Sequence, residues 1–505
     1  MSMVGVTQTG KNGVALVAVC LAALMFGLEI SSVPVILPTL ETALHSDFKE
    51  VQWIMNAYTI ACTTVLMATG TLADRFGRKR VFIISILLFG ITSLFCGLAQ
   101  NTLVLIISRF LQGMGGGAML ICSIAILSHQ FREGRERGKA FAVWGIISGV
   151  GLGFGPIIGG AIVLVSNWQW VFLVHVGIAL ITALLVFRGV QESRDPQAKK
   201  LDIGGIISLS LAVFGLAFYI TQGPAIGFRS IVGICILGAT LISFIIFLRV
   251  EKKQAHPLFD FSVFSIRRFS GAIIGCIGMN FSFWPFMIYL PIYFQSGLGY
   301  DIMTAGMSLL AYTLPTLVVP PLAERLALRY HPRIIIPSGL LMIGVGFLLM
   351  RYGSGVANAS WLTMLPGSLL AGTGLSLTNT PVTNTTTGAV TPDRAGMASG
   401  IDMSARLITL AINIALMGFI LVEGIYNYLD EALPGTLSSS QLHTAAEKIA
   451  AGLPTTGLPA ATAHAALVQG FSWVMLFGGV GVCVLAFVSF LIFGPKEKTV
   501  GQVAV

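Results

Sequence analysis

From Val14 onward the sequence repeats one pattern: about 20 apolar residues, a short polar connection, then another apolar run. A helix of that length covers roughly 30 Å of hydrocarbon at about 1.5 Å per residue. Fourteen such spans begin near Val14, Trp53, Val81, Thr102, Lys139, Trp170, Ile203, Ser230, Ser270, Thr304, Arg333, Trp361, Ala395 and Val468. The pattern reads as an all-α membrane protein. Only 10% of the residues are charged, against about 25% in a soluble domain. Glycine is abundant at 58 residues, as suits helices that pack backbone to backbone.

The connections alternate in charge. One side collects Lys11, Arg75 to Arg80, Arg132 to Lys139, Arg188 to Lys200, Arg249 to Arg268, Arg325 to Arg333, Arg394, Lys496 and Lys498, 24 of the 30 basic residues. Basic loops stay in the cytoplasm, so both termini are expected there. The net charge of +9 is spread over these loops and does not form one basic face or tail, which argues against nucleic acid. The first span is longer than a signal-peptide core and lacks a small-residue cleavage site, so it reads as a retained helix. All seven cysteines lie inside expected spans without CxxC or zinc spacing, so neither disulfides nor a metal is expected. A GxxxxGK[ST] phosphate loop is absent, and the GxG repeats near Gly151 lie inside a span. Enzymatic chemistry and cofactors are therefore not expected.

An internal repeat organises the spans. Leu72-Ala73-Asp74-Arg75 closes the second span and Leu322-Ala323-Glu324-Arg325 the tenth. If each closes the second helix of a six-helix half, the chain divides into residues 1–190, a two-helix insertion with its linkers over 191–268, and a second half over 269–505. Residues 424–467 then form the one long external connection. Within it, Ser440 to Ala451 favours helix, and both a packed helix and a solvated loop remain open.

Several spans carry residues that hydrocarbon tolerates poorly. Glu29 lies in the first span and Arg109 in the fourth, each at an energetic cost that demands a cavity or a partner. Glu29 is about 13 Å from the outer end of its span and Arg109 about 10 Å from the same surface. The fifth span places Gly145, Gly149 and Gly153 four apart and ends in Gly155-Pro156-x2-Gly159-Gly160. Such a stripe lets a neighbouring helix approach closely, and Pro156 frees a carbonyl and invites a bend. Asp402 and Arg406, four apart, read as a helix pair of mainly structural role. The aromatics of the ninth span, among them Phe283, Trp284 and Tyr289, spread over more than one face, so some are expected to reach a cavity.

Gly70-Thr71-Leu72-Ala73-Asp74-Arg75-Phe76-Gly77-Arg78-Lys79-Arg80 resembles the loop signature of the major facilitator superfamily between helices two and three. Arg109, Gln112 and Gly113 resemble its fourth-helix pattern, and the fifth-span glycines resemble the motif of its antiport branches. Leu28-Glu29-Ile30-Ser31-Ser32-Val33-Pro34-Val35-Ile36-Leu37-Pro38 is similar to the first-helix signature of the fourteen-helix drug:proton antiporters, with glutamate where that family has aspartate. Trp53, Tyr58, Trp168-Gln169-Trp170 and Gly396-Met397-Ala398-Ser399-Gly400 extend the resemblance, and His175 replaces an expected asparagine.

The resemblance implies a 6+2+6 major facilitator fold, working as a monomer in the plasma membrane, a bacterial inner membrane. It implies proton-coupled efflux of small lipophilic compounds, cations included, with the proton as the only coupling species. Glu29 and Arg109 are then expected to couple the proton, and Glu29, Trp53, Tyr58, Phe283, Trp284 and Tyr289 to contact substrate. Gly70, Asp74, Arg75, Gly77, Arg78, Gly149, Gly153, Gly155, Pro156 and Gly159 are expected to serve the conformational switch, with Asp402 and Arg406 as secondary charges. An exporter of one metabolite or of an anionic or zwitterionic solute stays open, as does a receptor or scaffold on the same fold.

The alternation of charge makes a direct prediction. Reporter fusions after Lys200 and after Lys498 read as cytoplasmic, and one at Ser438 reads as external. A cytoplasmic signal from Ser438 overturns the fourteen-span topology.

Overall fold

The computed structural model describes residues 3–46, 48–131, 134–194, 203–227, 229–253, 261–281, 289–391, 394–434, 437–450 and 458–494. The fusion points Lys200 and Lys498, and the aromatics Phe283 and Trp284, lie outside the described residues. The long elements are all helices: α1 (Met3–Leu44), α2 (Phe48–Phe76), α3 (Arg78–Gly97), α4 (Thr102–Gln130), α5 (Gly134–Val165), α6 (Gln169–Gly189), α7 (Ile203–Ile226), α8 (Ile231–Lys253) and α9 (Arg267–Asn280). After them come α10 (Ile302–Thr313), α11 (Pro315–Val318), α12 (Pro320–Tyr330), α13 (Pro332–Ser354), α14 (Trp361–Gly388), α15 (Ala395–Ala432), α16 (Ser439–Ala450) and α17 (Ala460–Phe493). Hydrocarbon offers backbone amides no partner, so each segment satisfies its own.

The ends are punctuated by local chemistry. Asn101 accepts from the Val104 amide at 2.9 Å to start α4, and Asp301 accepts from Thr304 at 2.8 Å to start α10. Ser360 and Thr363 form a reciprocal capping box on α14. Between α2 and α3 the chain turns at Gly77, whose φ of 108° suits a residue without a side chain. His331 makes the corresponding turn between α12 and α13 with φ 77°.

Among the described residues, nine helices are long and apolar enough to cross a membrane, or ten if the pair Thr304–Val318 and Pro320–Tyr330, bent by 50°, is one span. The other spans expected from sequence fall on α2, α9, α14 and α15. Helix α9 is described over 14 residues, and α14 carries a threonine-rich half that lowers its hydropathy.

Two boundaries differ from the sequence reading. Helix α15 continues to Ala432 and α17 starts at Ala460, so much of the expected external connection is helix extending past the apolar run. Within the remainder, α16 is folded. Leu442, Ala446 and Ile449, spaced on one face, are buried, and His443 stacks on Tyr426 of α15 with ring centroids 4.2 Å apart.

Helix α1 packs along α5 and α6, α2 along α4 and α15, and α13 along α14 and α17. One apolar cluster gathers residues of α1 to α6 with Met403, Leu407 and Leu410 of α15. A second runs from Met279 to Ala486. Helix α7 packs against α8, α2 and α15.

Helix α5 has two glycine faces, where the sequence suggested one stripe. Gly151, Gly155 and Gly159 meet α1: a methyl on Gly151 would lie 3.0 Å from the Leu24 carbonyl, and one on Gly155 would collide with Ser31. The Ser31 hydroxyl is within bonding distance of the Gly27 and Gly151 carbonyls, at 2.7 and 2.8 Å. Gly145, Gly149 and Gly153 instead face Thr380, Thr316 and Thr313. Spacing revealed the small residues but not that they are split between two neighbours.

The α1 contact sets up a paired test. Gly155→Ala adds a methyl where Ser31 already stands and is expected to cost about 1–3 kcal/mol through overpacking. Gly160→Ala, with nothing within 4 Å of the added atom, is expected to be near neutral. Thermal unfolding of the purified protein compares them; equal midpoints would mean that α1 does not sit on this face.

Candidate functional site

Glu29 of α1 is fully buried, and Arg109 of α4 is 1% exposed. Apart from each other, each would be an uncompensated charge. Arg109 Nη1 donates to Glu29 Oε1 and to Gln112 Oε1 at 2.8 Å. Its Nε donates to the Ile54 carbonyl of α2 at 3.1 Å. The guanidinium carbon sits 4.4 Å from the Tyr58 ring centroid and 5.8 Å from that of Phe172. Gln112, one turn further along α4, donates to the Ser93 hydroxyl of α3 at 2.8 Å. One cation thereby ties four helices together.

Sequence reasoning noted His175 only as a departure from the expected asparagine. It closes the cluster from α6: its Nδ1 lies 3.3 Å from Glu29 Oε2 and 3.1 Å from the Val171 carbonyl. A hydrogen on Nδ1 serves that carbonyl and faces the carboxylate. His175 Nε2 and the Tyr58 hydroxyl are buried without a hydrogen-bond partner among the described residues. The cluster thus holds a carboxylate and an imidazole, which can exchange a proton over a short distance, beside a guanidinium that keeps its charge.

A second buried pair lies on α15. Arg406 Nη2 is 3.3 Å from Asp402 Oδ2 and donates to the Thr383 hydroxyl at 2.7 Å, while its Nη1 donates to Asn379 Oδ1 at 2.6 Å. Thr383 in turn donates to Asp402 at 3.0 Å.

Between these clusters is a cavity of about 100 Å³ walled by α1, α4, α5, α9, α14 and α15 with the bent α10–α12 segment. Pockets that enclose a drug-sized ligand hold roughly 300–1,000 Å³, so this one encloses part of such a molecule. Phe26, Ile30, Trp144 and Leu152 give it apolar walls, with Asn280 and Arg406 among its polar residues. None of Glu29, Trp53, Tyr58 and Tyr289 contributes to the wall. Trp53 instead packs on Phe218 of α7 with centroids 5.6 Å apart, Tyr58 lies under Arg109, and Tyr289 is buried in the second apolar cluster. Trp144 and Asn280 carried no sequence signal beyond residue type.

The Asp74 loop touches neither cluster. Asp74 Oδ1 accepts from Arg78 Nε and Nη2 at 2.9 and 2.7 Å, and Oδ2 accepts from the Met397 amide at the start of α15 at 3.2 Å. A helix N-terminus favours such an anion. Gly70 lies so close to Gly396 that an added methyl would approach its carbonyl oxygen to 2.5 Å. Gly77 faces Glu192, whose carboxylate accepts from the Lys79 and Ser193 amides at 3.1 and 3.0 Å. Arg75 lies beside the Phe76 ring.

The repeated tetrapeptide makes a second clamp. Glu324 accepts from Asn384 Nδ2 at 2.7 Å, and Arg137 of α5 donates to Asn384 Oδ1 at 2.5 Å and to the Thr387 hydroxyl at 2.7 Å. In the sequence Arg137 was one cation in a basic loop; its partners lie about 250 residues away on α14.

Asp74→Asn keeps the shape of the first clamp but removes the charge facing Arg78 and the α15 terminus. We expect slower transport with substrate affinity within about twofold, since a charge-assisted hydrogen bond contributes about 1.5–3 kcal/mol to a contact remote from the cavity. Reduced affinity with unchanged turnover would overturn this.

Residues 19–413 match the profile of the Major Facilitator Superfamily. The chain is 30% identical over 438 residues to "Multidrug resistance protein Stp" of Mycobacterium tuberculosis, covering 86% of this chain and 80% of that one. It is 28% identical over 411 residues to "Quinolone resistance protein NorB" of Staphylococcus aureus, covering 81% and 88%. Among solved structures it superposes on the human organic anion transporter MFSD10 with a TM-score of 0.62, 15% identity and coverage of 95% and 99%. The proton:xylose symporter XylE gives a TM-score of 0.62 at 14% identity, covering 95% of each chain. On this evidence the chain belongs to the major facilitator superfamily, a family of multi-pass membrane transporters and not of enzymes.

Proposed function

We propose that this protein exports small lipophilic compounds in exchange for protons, by alternating access of the cavity between its helices to the two sides of the membrane. The names of its relatives, which include a multidrug resistance protein, a quinolone resistance protein and a "Drug efflux pump JefA", support the direction and the kind of cargo. The buried Glu29–Arg109–His175 cluster carries the proton coupling. In this reading the chain has fourteen spans arranged 6+2+6, with both termini in the cytoplasm of a bacterial cell, and acts as a monomer.

Glu29 is the proton carrier. While it is ionised, Arg109 holds it, and α1, α2, α3 and α4 are drawn to one guanidinium. Protonation removes the charge that Arg109 faces, so the ion pair linking α1 to α4 is lost. The Gly151 and Gly155 face of α5 then lets α1 shift once the hydrogen bond from Ser31 to the Gly151 carbonyl yields. Under the positive-inside topology the Asp74 and Glu324 clamps lie at the cytoplasmic ends of their helices. The conformation described is therefore one in which those ends are held together, and it opens inward when both clamps release.

Substrate contact is assigned to the cavity wall, with Phe26, Trp144 and Leu152 as apolar surfaces, in place of Trp53, Tyr58 and Tyr289. The alternative of an anionic or zwitterionic cargo is favoured by one observation: among the described residues, Arg406 is the charged residue in that wall.

Inverted membrane vesicles test the coupling. Wild-type protein accumulates lipophilic dyes only under an imposed pH gradient. Glu29→Gln is expected to reduce this at least tenfold, equivalent to about 1.4 kcal/mol, while some dye binding survives; Glu29→Asp retains partial activity. Removing one partner of a buried pair costs about 3–5 kcal/mol of stability, so membrane abundance is measured alongside. Normal pH-driven transport by Glu29→Gln would refute Glu29 as the carrier and make Asp402 the next candidate.

A further inference from the structure

The cavity wall contains three buried polar atoms without a hydrogen-bond partner among the described residues: Trp144 Nε1, Ser148 Oγ and Arg406 Nε. Trp144 and Ser148 are four apart on α5 and so share a face; Arg406 approaches from α15. Trp144 is 3% exposed and Arg406 8%. A buried indole N–H ordinarily finds an acceptor, and both Trp144 Nε1 and Arg406 Nε can only donate. The remaining nitrogens of Arg406 are already engaged by Asn379, Thr383 and Asp402. Its Nε is the atom left for something else.

Several of the other polar side chains in the wall are engaged elsewhere, while Asn280, whose Nδ2 donates to the Cys276 carbonyl at 2.9 Å, adds an amide oxygen. Thr316 donates to the Thr313 carbonyl at 2.5 Å and Ser376 to the Gly372 carbonyl at 3.0 Å. Asn379 spends its oxygen on Arg406. Among the described residues, no carboxylate lines the cavity. An ammonium group entering here would face a guanidinium, with no lining carboxylate among the described residues to replace its hydration. For a carbonyl or carboxylate oxygen, three residues of the wall each carry an unspent donor, with the flat walls of Phe26 and Trp144 beside them.

We infer that Trp144, Ser148 and Arg406 form a binding subsite for a hydrogen-bond-accepting head group, a carbonyl or carboxylate on a flat apolar body. The protein therefore selects acceptor-bearing cargo over organic cations. This rests on the export reading above and specifies its substrate class. Trp144 and Arg406 are the specificity-determining residues. The ring of Trp144, set edge-on to Phe141 with centroids 6.4 Å apart, holds the indole N–H in place.

The test uses full-length protein in lipid nanodiscs and three probes of one shape: 1-naphthylacetate, its methyl ester, and (1-naphthylmethyl)trimethylammonium. The carboxylate and ester are expected to bind at least about tenfold more tightly than the ammonium, the factor expected for one or two hydrogen bonds to a desolvated group. Trp144→Phe removes the N–H and keeps an aromatic face; it weakens the first two about five- to tenfold and changes the ammonium by less than about twofold. Arg406→Lys, which keeps the charge but lacks Nε, acts in the same direction. Trp144→Phe guards against misfolding of the lysine variant, because its thermal midpoint should match the wild type. Equal or tighter binding of the ammonium overturns the proposal, as does a Trp144→Phe effect that is absent or alike for all three probes. Vesicle transport separates the two readings. No pH-driven export of any probe with the affinity order intact overturns the export reading alone. Export with the order reversed overturns the subsite alone.

Discussion

Charge that enters hydrocarbon must bring its partner, and much of this molecule's long-range geometry follows from that constraint. Glu29 needs Arg109, and in meeting it fixes α1 against α4. Arg109 has further donors to place, and the Ile54 carbonyl and Gln112 extend its reach to α2 and α3. Arg406 gathers Asp402, Asn379 and Thr383 in the same manner. Apolar contacts between membrane helices are nonspecific, since lipid tails offer as much. These polar joints single out which helices meet and at what height.

Glycine supplies the complementary property, permission to approach. Helix α5 presents one bare face to α1 and another to the threonines of α10, α11 and α14. It therefore contacts two sets of partners at backbone distance. On the α1 side the Ser31 hydroxyl reaches across to the Gly151 carbonyl at 2.8 Å, so a polar contact pins a surface that is otherwise backbone against backbone. A transporter whose states differ by a few kcal/mol is well served by that division of labour.

The sequence revealed the helical membrane architecture, because apolar runs of span length have one common solution in lipid. Glu29 and Arg109 were legible because a charge in such a run demands a cavity or a partner, and helix rise alone put them at similar depth. His175 was not, since a histidine on an apolar face signals nothing until Glu29 is seen 3.3 Å away. Trp144 and Ser148 were hidden for the same reason: an unsatisfied donor is a property of surroundings. Arg137 and Asn384 meet across nearly 250 positions of sequence, a pairing no local pattern encodes. Hydropathy shortened α15 and α17 because the helices continue past their apolar runs, where polarity no longer distinguishes them from loops.

The Asp74 clamp closes on a backbone amide, that of Met397, and on a neighbour that lacks a side chain, Gly396, where any added carbon would meet the carboxylate. Half of this joint is therefore written in chemical identity and half in vacancy. At 397 every residue except proline offers the same amide, so the contact itself makes no demand on that side chain. At 396 no amount of chemical similarity helps, because the requirement is for nothing at all. Variation tolerated at one position and refused at the next is the imprint such a clamp leaves on a lineage.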